Sequence, residues 1–194
     1  LDAGFLLLEH LGTGNFLVDA TPVAERYAAA GALLAELHRR PWPQRLEAPG
    51  GVVHALPPFD RDALMIEVEL LPAWYVRRQT GSAPSAAFLS AFAAAWNAVF
   101  DRLEAAEKSI VLRDYHSPNI VWRDERRGLD RLGLLDFQDA LYGPAAYDVA
   151  SLAMDARVTV PEAIERAAVD AYVAARQAAG PFDEAGFAAA PPLS

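Results

Sequence analysis

Apolar residues recur at intervals of three and four along much of the chain, which is the spacing of one face of an α-helix. This periodicity predicts five helices, over about residues 21–40, 60–75, 83–107, 145–156 and 161–180. Thr21 is the expected N-cap of the first helix, with Pro22 at its first helical position. Asp60 is the expected N-cap of the second helix, and Pro72 inside that helix is expected to kink it.

The third predicted helix has the longest apolar face, which is formed by Phe88, Phe92, Trp96, Val99 and Leu103. A face of this kind is typical of a helix that packs into a protein core. We therefore expect this helix to be the central packed helix, lying beneath the polar segment 112–119. Trp74 and Tyr75, near the end of the second predicted helix, are also expected in the core, with the wall of a ligand-binding site as the alternative.

The remaining stretches predict loops and a few short strands. A run of apolar residues at 5–8 predicts a buried strand. Residues 41–58 contain several Pro and Gly and predict a loop, in which His54 is expected to be incidental. Residues 109–112 predict another short strand. Because helices dominate the pattern, the predicted fold class is α+β and mainly helical.

A β-hairpin is predicted in the second half of the chain. Two apolar runs, residues 119–122 and 132–135, are joined by the polar turn 124–130. Pairing of the two runs would bring Asn119, at the start of the first, near Asp136, which follows the second. The sequence therefore predicts that these two polar side chains converge at one end of the hairpin.

Composition narrows the class of protein. At 194 residues, of which 53% are hydrophobic, the chain is long enough for one globular domain with its own core. It has no cysteine, which excludes disulfides and thiolate metal sites and accords with a reducing compartment. The net charge is -9, and no basic run suited to nucleic acid is present. Neither a signal peptide nor a membrane span is apparent, so we expect a cytoplasmic protein that binds neither nucleic acid nor membrane.

Candidate chemistry is concentrated in residues 112–119 and 134–139, which have the sequences Leu-Arg-Asp-Tyr-His-Ser-Pro-Asn and Leu-Leu-Asp-Phe-Gln-Asp. A hydroxyl that attacks the γ-phosphate of ATP needs a carboxylate to orient it and accept its proton. Mg²⁺, a hard cation, needs oxygen ligands beside the phosphates. Asp114 suits the first task, and Asn119 and Asp136 suit the second.

These two segments resemble the catalytic loop and the metal-binding Asp of the kinase-like superfamily, in its small-molecule branch of aminoglycoside and choline phosphotransferases. The protein-kinase pattern is His-Arg-Asp, four residues, Asn, and later Asp-Phe-Gly. The chain departs from that pattern at Leu112 and Gln138. It retains five residues of the pattern: Arg113, Asp114, Asn119, Asp136 and Phe137.

Other residues favour the small-molecule branch, namely His116 shortly after Asp114, and Gly143-Pro144 followed by Asp148. Within that branch the motifs are most similar to bacterial kinases that phosphorylate the anomeric hydroxyl of N-acetylmuramate and N-acetylglucosamine. The resemblance implies a small-molecule substrate and, as cofactors, ATP and Mg²⁺. An aminoglycoside or another small alcohol is the alternative acceptor. A non-catalytic, pseudokinase-like binding module is the competing interpretation, although such a scaffold has no chemical need for a base and two metal ligands.

The resemblance also implies roles for individual residues at the centre of the site. Asp114 would be the catalytic base, and Asn119 and Asp136 would be the magnesium ligands. Backbone groups near Glu9 and Leu11 would hydrogen-bond adenine. The alternative for this last segment is an ordinary apolar strand that ends in a glycine turn.

Five further residues are expected around that centre. Arg113 would anchor the loop, and Asp148 would hold the loop's backbone, with a solvent-facing position as the alternative for Asp148. His116 would brace the loop through backbone hydrogen bonds or contact the substrate. Gln138 and Asp139 are expected to border the acceptor pocket together with His116.

The resemblance also implies a domain organisation. Residues 1–14 would be the linker strand between two lobes, and residues 15–194 would be the helical C-terminal lobe. The Gly-x-Gly at residues 12–14 is not followed by a strand with a phosphate-pairing Lys, so it is expected to be a turn. The nucleotide-covering N-terminal lobe is therefore expected ahead of Leu1, and this chain alone is expected to have little or no activity. The resemblance also allows for a fused domain.

Overall fold

The computed structural model describes residues 8–155 and 157–189, and helices make up most of its regular structure. The α-helices are α1 (Ala24–His38), α2 (Arg61–Leu70), α3 (Arg77–Thr80), α4 (Ala86–Glu104), α5 (Ala146–Ala153), α6 (Glu162–Ala179) and α7 (Glu184–Ala189). A π-helical segment, Leu71–Val76, joins α2 to α3. None of the described helices is both long and apolar enough to cross a lipid bilayer. The mainly helical α+β class predicted from the sequence is confirmed.

Short strands form small two-stranded antiparallel sheets in the described part of the chain. The strands are β1 (Leu17–Val18), β2 (Thr21–Pro22), β3 (Arg45–Ala48), β4 (Val52–Ala55), β5 (Lys108–Val111), β6 (Ile120–Trp122), β7 (Leu132–Leu134) and β8 (Leu141–Pro144). β1 pairs with β2, β3 with β4, β5 with β8 and β6 with β7. The β6–β7 hairpin is the one predicted from the sequence.

A further hairpin, β3–β4, lies within residues 41–58, where a loop was predicted, so that prediction is wrong in part. Gly50 and Gly51 at its turn have φ angles of 89° and 78°, which a residue with a Cβ avoids. Val52 and Val53, which follow, are β-branched and favour extended backbone. All of β4 is exposed, so the sequence has no alternation of buried and exposed positions that would reveal the strand.

α1 begins at Ala24, later than the start predicted at Thr21. Thr21 and Pro22 belong to β2, and Val23 occupies the N-cap position without a side-chain hydrogen bond. The N–H group of Val23 instead donates to the carbonyl of Phe16 at 3.2 Å. The strand pairing therefore uses the two residues that the sequence suggested for starting the helix.

The main core lies between α1 and α6, and the residues buried there include Tyr27, Ala30, Leu34, Ala168 and Tyr172. Gly31 marks the closest approach of the two helices. A Cβ atom at Gly31 would lie 2.2 Å from the carbonyl oxygen of Ala168, far inside van der Waals contact. Only glycine therefore allows the two backbones to pack at this distance.

We expect Gly31→Ala to lower the free energy of unfolding by about 3 kcal/mol, because the added methyl group must push α6 away from α1. Urea unfolding followed by circular dichroism measures this loss. The matched control is Gly51→Ala, where a Cβ would meet no atom within 4 Å. The control should lose only about 1 kcal/mol, from its positive φ angle. Equal losses in the two variants would contradict the close helix approach.

α2 has the predicted N-cap, since the carboxylate of Asp60 accepts a hydrogen bond from the N–H of Ala63 at 3.1 Å. Pro72, which lacks an N–H group, lies in the π-helical segment where a kink was predicted. Trp74 and Tyr75 are 74% and 59% exposed, so the prediction that they belong to the core is wrong. The sequence shows that both side chains are large and apolar, but it contains no information on what would cover them.

α4 is not the central packed helix that its aromatic face predicted, because the central position is taken by α1 and α6. Phe100 is its only buried residue among those described, and Phe88 is 41% exposed. Its aromatic rings contact one another along the helix, with centroids 6.0 Å apart for Phe88 and Phe92 and 6.3 Å apart for Phe92 and Trp96. With α2, α5 and α6, the helix lines an apolar cavity of about 970 Å³.

Candidate active site

The loop that follows β5 is held at its start by Asp148 of α5. Asp148 is fully buried. Its Oδ2 accepts a hydrogen bond from the N–H of Leu112 at 2.7 Å, and its Oδ1 accepts one from the N–H of Arg113 at 3.0 Å. Arg113 has a φ of 69°, a left-handed conformation that costs about 1–2 kcal/mol for a residue with a Cβ. Asp148 therefore does not face solvent, and its effect on catalysis stays a prediction.

Asp114 has a fixed backbone and an accessible carboxylate. Its N–H donates to the carbonyl of Leu112 at 2.9 Å, and its carbonyl accepts a hydrogen bond from Nδ2 of Asn119 at 3.1 Å. The side chain is 49% exposed. A carboxylate that is held in place by its backbone and is open to a reactant suits a general base.

The two residues after Asp114 are buried. The hydroxyl of Tyr115 donates to the carbonyl of Ala30 in α1 at 2.9 Å, and burial raises the pKa of Tyr115 well above its usual value. The His116 ring lies with Nε2 3.6 Å from Oδ1 of Asp114, and neither ring nitrogen has a hydrogen-bond partner among the described residues. The backbone of His116 bonds to Asp114 and Asn119 within the loop. Contact of its ring with a substrate stays a prediction.

Asp155, just after α5, holds the next turn of the loop and was missed by the sequence analysis. It is 3% exposed. Its Oδ2 accepts a hydrogen bond from the N–H of Ser117 at 2.9 Å, and its Oδ1 accepts one from the N–H of Arg157 at 2.9 Å. Asp155 follows Asp148 by seven residues, about two turns of the helix predicted over residues 145–156, and this spacing would put both acids on one face of that predicted helix. That spacing is the signal by which Asp155 could have been found.

The side chain of Arg113 connects the loop to α2 through an ion pair with Glu67. Burial lowers the pKa of the Arg113 guanidinium, but the hydrogen bond that Arg113 donates to the Glu67 carboxylate opposes this effect, and the net shift of the pKa is upward. The hydroxyl of Ser151 in α5 donates to the carbonyl of Arg113 at 3.3 Å. Arg113 therefore connects the loop with two neighbouring helices.

The β6–β7 hairpin brings Asn119 and Asp136 to the same end. Ile120 pairs with Leu134, and the N–H of Leu135 donates to the carbonyl of Asn119 at 2.9 Å. This bond extends the ladder by one pair beyond the strands, and Asp136 follows directly. The juxtaposition is the one predicted from the two apolar runs.

Oxygen atoms of Asn119 and Asp136 are available to a cation. Nδ2 of Asn119 donates a hydrogen bond to the carbonyl of Asp114, and the amide oxygen of Asn119 remains available to bind a cation. Asp136 has a φ of 58° and is exposed, and its Oδ1 accepts a hydrogen bond from Nε2 of Gln138 at 2.6 Å. The described residues contain no cluster of three or more His, Cys, Asp or Glu suited to a metal. Mg²⁺ takes one or two protein carboxylates and completes its shell with phosphate oxygens and water, so the pair fits this ion.

Gln138 and Asp139, which were predicted to border the acceptor pocket, are exposed on the segment after β7. Gln138 contacts Asp136 directly. Leu135 and Phe137 on the same segment are 46% and 58% exposed. The segment therefore presents both polar and apolar groups beside Asp136, and binding of a substrate by Gln138 and Asp139 stays a prediction.

Glu9 and Leu11, the predicted adenine-binding residues, lie against the β6–β7 hairpin. The carboxylate of Glu9 is 3.7 Å from the guanidinium of Arg123. Leu11 packs on Gly133, where a Cβ would come within 2.8 Å of Cδ1 of Leu11. The strand predicted at residues 5–8 falls almost entirely outside the described residues, and adenine binding stays a prediction.

Comparison with known proteins gives matches along nearly the whole chain. A model of the phosphotransferase enzyme family matches residues 1–187. The chain is 37% identical over 177 residues to the N-acetylmuramate/N-acetylglucosamine kinase of Caulobacter vibrioides, a match that covers 90% of this chain and 48% of that protein. For the protein of the same name from Pseudomonas putida, the identity is 37% over 186 residues, covering 93% and 49%. For the one from Neisseria meningitidis it is 32% over 185 residues, covering 95% and 53%. The chain therefore spans about half the length of the curated relatives it matches.

Proposed function

The chain belongs to the phosphotransferase enzyme family, as its sequence predicted, and on that basis we propose that it is the catalytic lobe of a small-molecule kinase. The main observation behind this proposal is that Asp114, Asn119 and Asp136 lie together at one end of the β6–β7 hairpin. One accessible carboxylate and two further oxygen ligands are the protein groups that phosphate transfer to a hydroxyl requires.

In the proposed reaction, the carboxylate of Asp114 hydrogen-bonds the acceptor hydroxyl and takes its proton as the oxygen attacks the γ-phosphorus of ATP. The bond from the γ-phosphorus to the β–γ bridging oxygen breaks, and ADP leaves. The amide oxygen of Asn119 and the carboxylate of Asp136 would hold Mg²⁺, which when bound neutralises charge on the phosphates. Asp148 and Asp155 fix the backbone on both sides of Asp114. The base is thereby positioned before the acceptor arrives, which lowers the entropy cost of reaching the transition state.

We propose an N-acetylated amino sugar, N-acetylmuramate or N-acetylglucosamine, as the acceptor. The relatives named above carry both sugars in their names and match 90% or more of this chain. His116 and Gln138 adjoin Asp114 and Asp136, and Asp139 follows on the same exposed segment. A few convergent polar groups of this kind are what a sugar site needs to orient its ligand. The net charge of -9 favours an aminoglycoside as the second candidate.

The proposal includes the kinase-like arrangement of two lobes. Glu9 and Leu11 would belong to the segment that joins this lobe to a nucleotide-covering lobe, and their backbone groups would bind adenine. Leu11 packs on Gly133 in β7, and Glu9 lies near Arg123 just after β6, so the segment lies against the hairpin that begins after Asn119. The chain spans only about half the length of its relatives, so we expect this lobe by itself to transfer little or no phosphate. The cytoplasmic location expected from the sequence also stays a prediction.

The acceptor is tested with the full-length protein, ATP and Mg²⁺ in an assay that follows ADP release. N-acetylmuramate, N-acetylglucosamine and an aminoglycoside are compared at equal concentrations. We expect kcat/KM for the better amino sugar to exceed that for the aminoglycoside by about 100-fold or more, because unmatched polar groups of a sugar site penalise the wrong ligand. A preference for the aminoglycoside would overturn the proposed acceptor but not the proposed kinase activity. Binding of ATP without transfer to any acceptor would favour the non-catalytic module.

A further inference from the structure

A buried polar network connects Asp148 to Glu107, which is exposed at the surface. Its members Asp148, His38, Tyr172 and Arg176 are 0%, 3%, 0% and 8% exposed. Nδ1 of His38 lies 3.1 Å from the hydroxyl oxygen of Tyr172, and Nη1 of Arg176 lies 3.3 Å from the same oxygen. Nη2 of Arg176 donates to the carboxylate of Glu107 at 2.6 Å. The network therefore links α1, α5 and α6 through side chains that the proposed reaction does not use.

Hydrogen-bond chemistry determines the direction of each bond in this network. Arginine can only donate, so the Tyr172 oxygen accepts from Arg176 and the hydroxyl proton remains for His38. Burial raises the pKa of Tyr172 to about 12, so the hydroxyl keeps its proton at neutral pH. Nδ1 of His38 is then the acceptor, and a neutral ring must have its own proton on Nε2.

Nε2 of His38 faces the Asp148 carboxylate. It lies 3.9 Å from Oδ2 of Asp148, and it is buried without a hydrogen-bond partner among the described residues. The same Oδ2 accepts the hydrogen bond from the N–H of Leu112. An N–H dipole directed at a buried carboxylate offsets part of the cost of burying that charge, because the local dielectric is low.

We propose that His38 is a positioning residue of the phosphate-transfer site. Its Nε2–H, oriented by Tyr172, stabilises the buried Asp148 carboxylate. Asp148 in turn holds the two backbone N–H groups where the chain turns left-handed at Arg113, immediately before Asp114. The effect on catalysis rests on the proposed function of Asp114, whereas the hydrogen-bond arrangement does not depend on it.

The tautomer of His38 is measured by ¹⁵N NMR of the imidazole rings in the full-length protein at neutral pH. We expect His38 to have a protonated Nε2 and an unprotonated Nδ1, and Tyr172→Phe to lose that fixed pattern. His10 and His54 are exposed and serve as internal references. A ring of His38 protonated on Nδ1, or on both nitrogens, would overturn the proposal without any variant having to fold.

The link from His38 to the loop is tested with two variants in the full-length protein. His38→Gln retains a donor, whereas His38→Leu retains an apolar side chain without one. We expect amide hydrogen exchange at Leu112 and Arg113 to be about tenfold faster in the Leu variant and close to wild type in the Gln variant. We also expect kcat to fall by about tenfold in the Leu variant, with KM for ATP unchanged and with rescue by Gln.

The outcomes separate this inference from the proposed function. Equal exchange rates in the wild type and both variants would show that His38 does not support the loop. A lower kcat in both variants alike would also contradict the role of the Nε2–H. If the wild type transfers no phosphate, the proposed function fails, while exchange at Leu112 and Arg113 still decides whether His38 holds the loop.

Discussion

Replacing Asp114 by Asn is expected to lower kcat for phosphate transfer by about 10²–10⁴-fold, the usual contribution of a general base. The amide of Asn has nearly the same shape as the carboxylate, but it cannot accept the proton of the acceptor hydroxyl. The backbone bonds of Asp114 to Leu112 and Asn119 do not involve its carboxylate, so the loop should keep its conformation. KM for ATP should therefore change little, and the loss should appear in kcat.

The control for Asp114→Asn is Asp170→Asn, which removes an exposed carboxylate from α6 with the same change in charge. We expect this control to retain wild-type kcat. The free energy of unfolding, measured by thermal unfolding, should change by less than about 0.5 kcal/mol in both variants, because both side chains are exposed. A kcat for Asp114→Asn within tenfold of the wild type would show that another group accepts the proton.

Replacing Asp148 by Ala should lower the free energy of unfolding by about 3–5 kcal/mol. The change removes the acceptor of two buried N–H groups, at Leu112 and Arg113, and each hydrogen bond to a charged group contributes about 1.5–3 kcal/mol. Urea unfolding of the purified variant measures the loss. The rate of phosphate transfer should fall as well, even without urea, where the variant is still folded. The reason is that the end of β5, just before Asp114, is no longer held in place.

Two comparisons make the Asp148 experiment specific. Asp170→Ala, on an exposed face, should cost less than about 0.5 kcal/mol. Asp148→Asn, which keeps one carbonyl oxygen but turns an NH₂ group toward one of the two N–H donors, should lie between wild type and Asp148→Ala. A loss of under about 1 kcal/mol for Asp148→Ala would mean that these N–H groups find other partners.

The part of the site that could be predicted from the sequence is the part built from neighbouring residues. The loop with Asp114 and Asn119, and the hairpin that returns to Asp136, lie within one short stretch of chain. Apolar runs on either side of a polar turn are enough to place such a hairpin. Asp60 as the N-cap of α2 followed in the same way from a local pattern.

Features that depend on distant contacts could not be predicted in this way. His38 and Tyr172 are 134 residues apart, and no local pattern connects them. Helical spacing marked the apolar face of α4, but an apolar face does not reveal its packing partner. The packing of α1 on α6 requires a residue without a Cβ at Gly31, and a pattern of hydrophobic positions does not reveal this requirement.

The central claim is that Asp114, Asn119 and Asp136 form a site that transfers phosphate to a small molecule. Its most direct test is ³¹P NMR of the full-length protein with ATP, Mg²⁺ and N-acetylmuramate, beside the Asp114→Asn variant. We predict that the wild type converts the γ-phosphate signal of ATP into a new sugar-phosphate signal and that the variant does so at least about 100-fold more slowly. Formation of the same product at the same rate by the variant, or release of inorganic phosphate alone by the wild type, would contradict the claim.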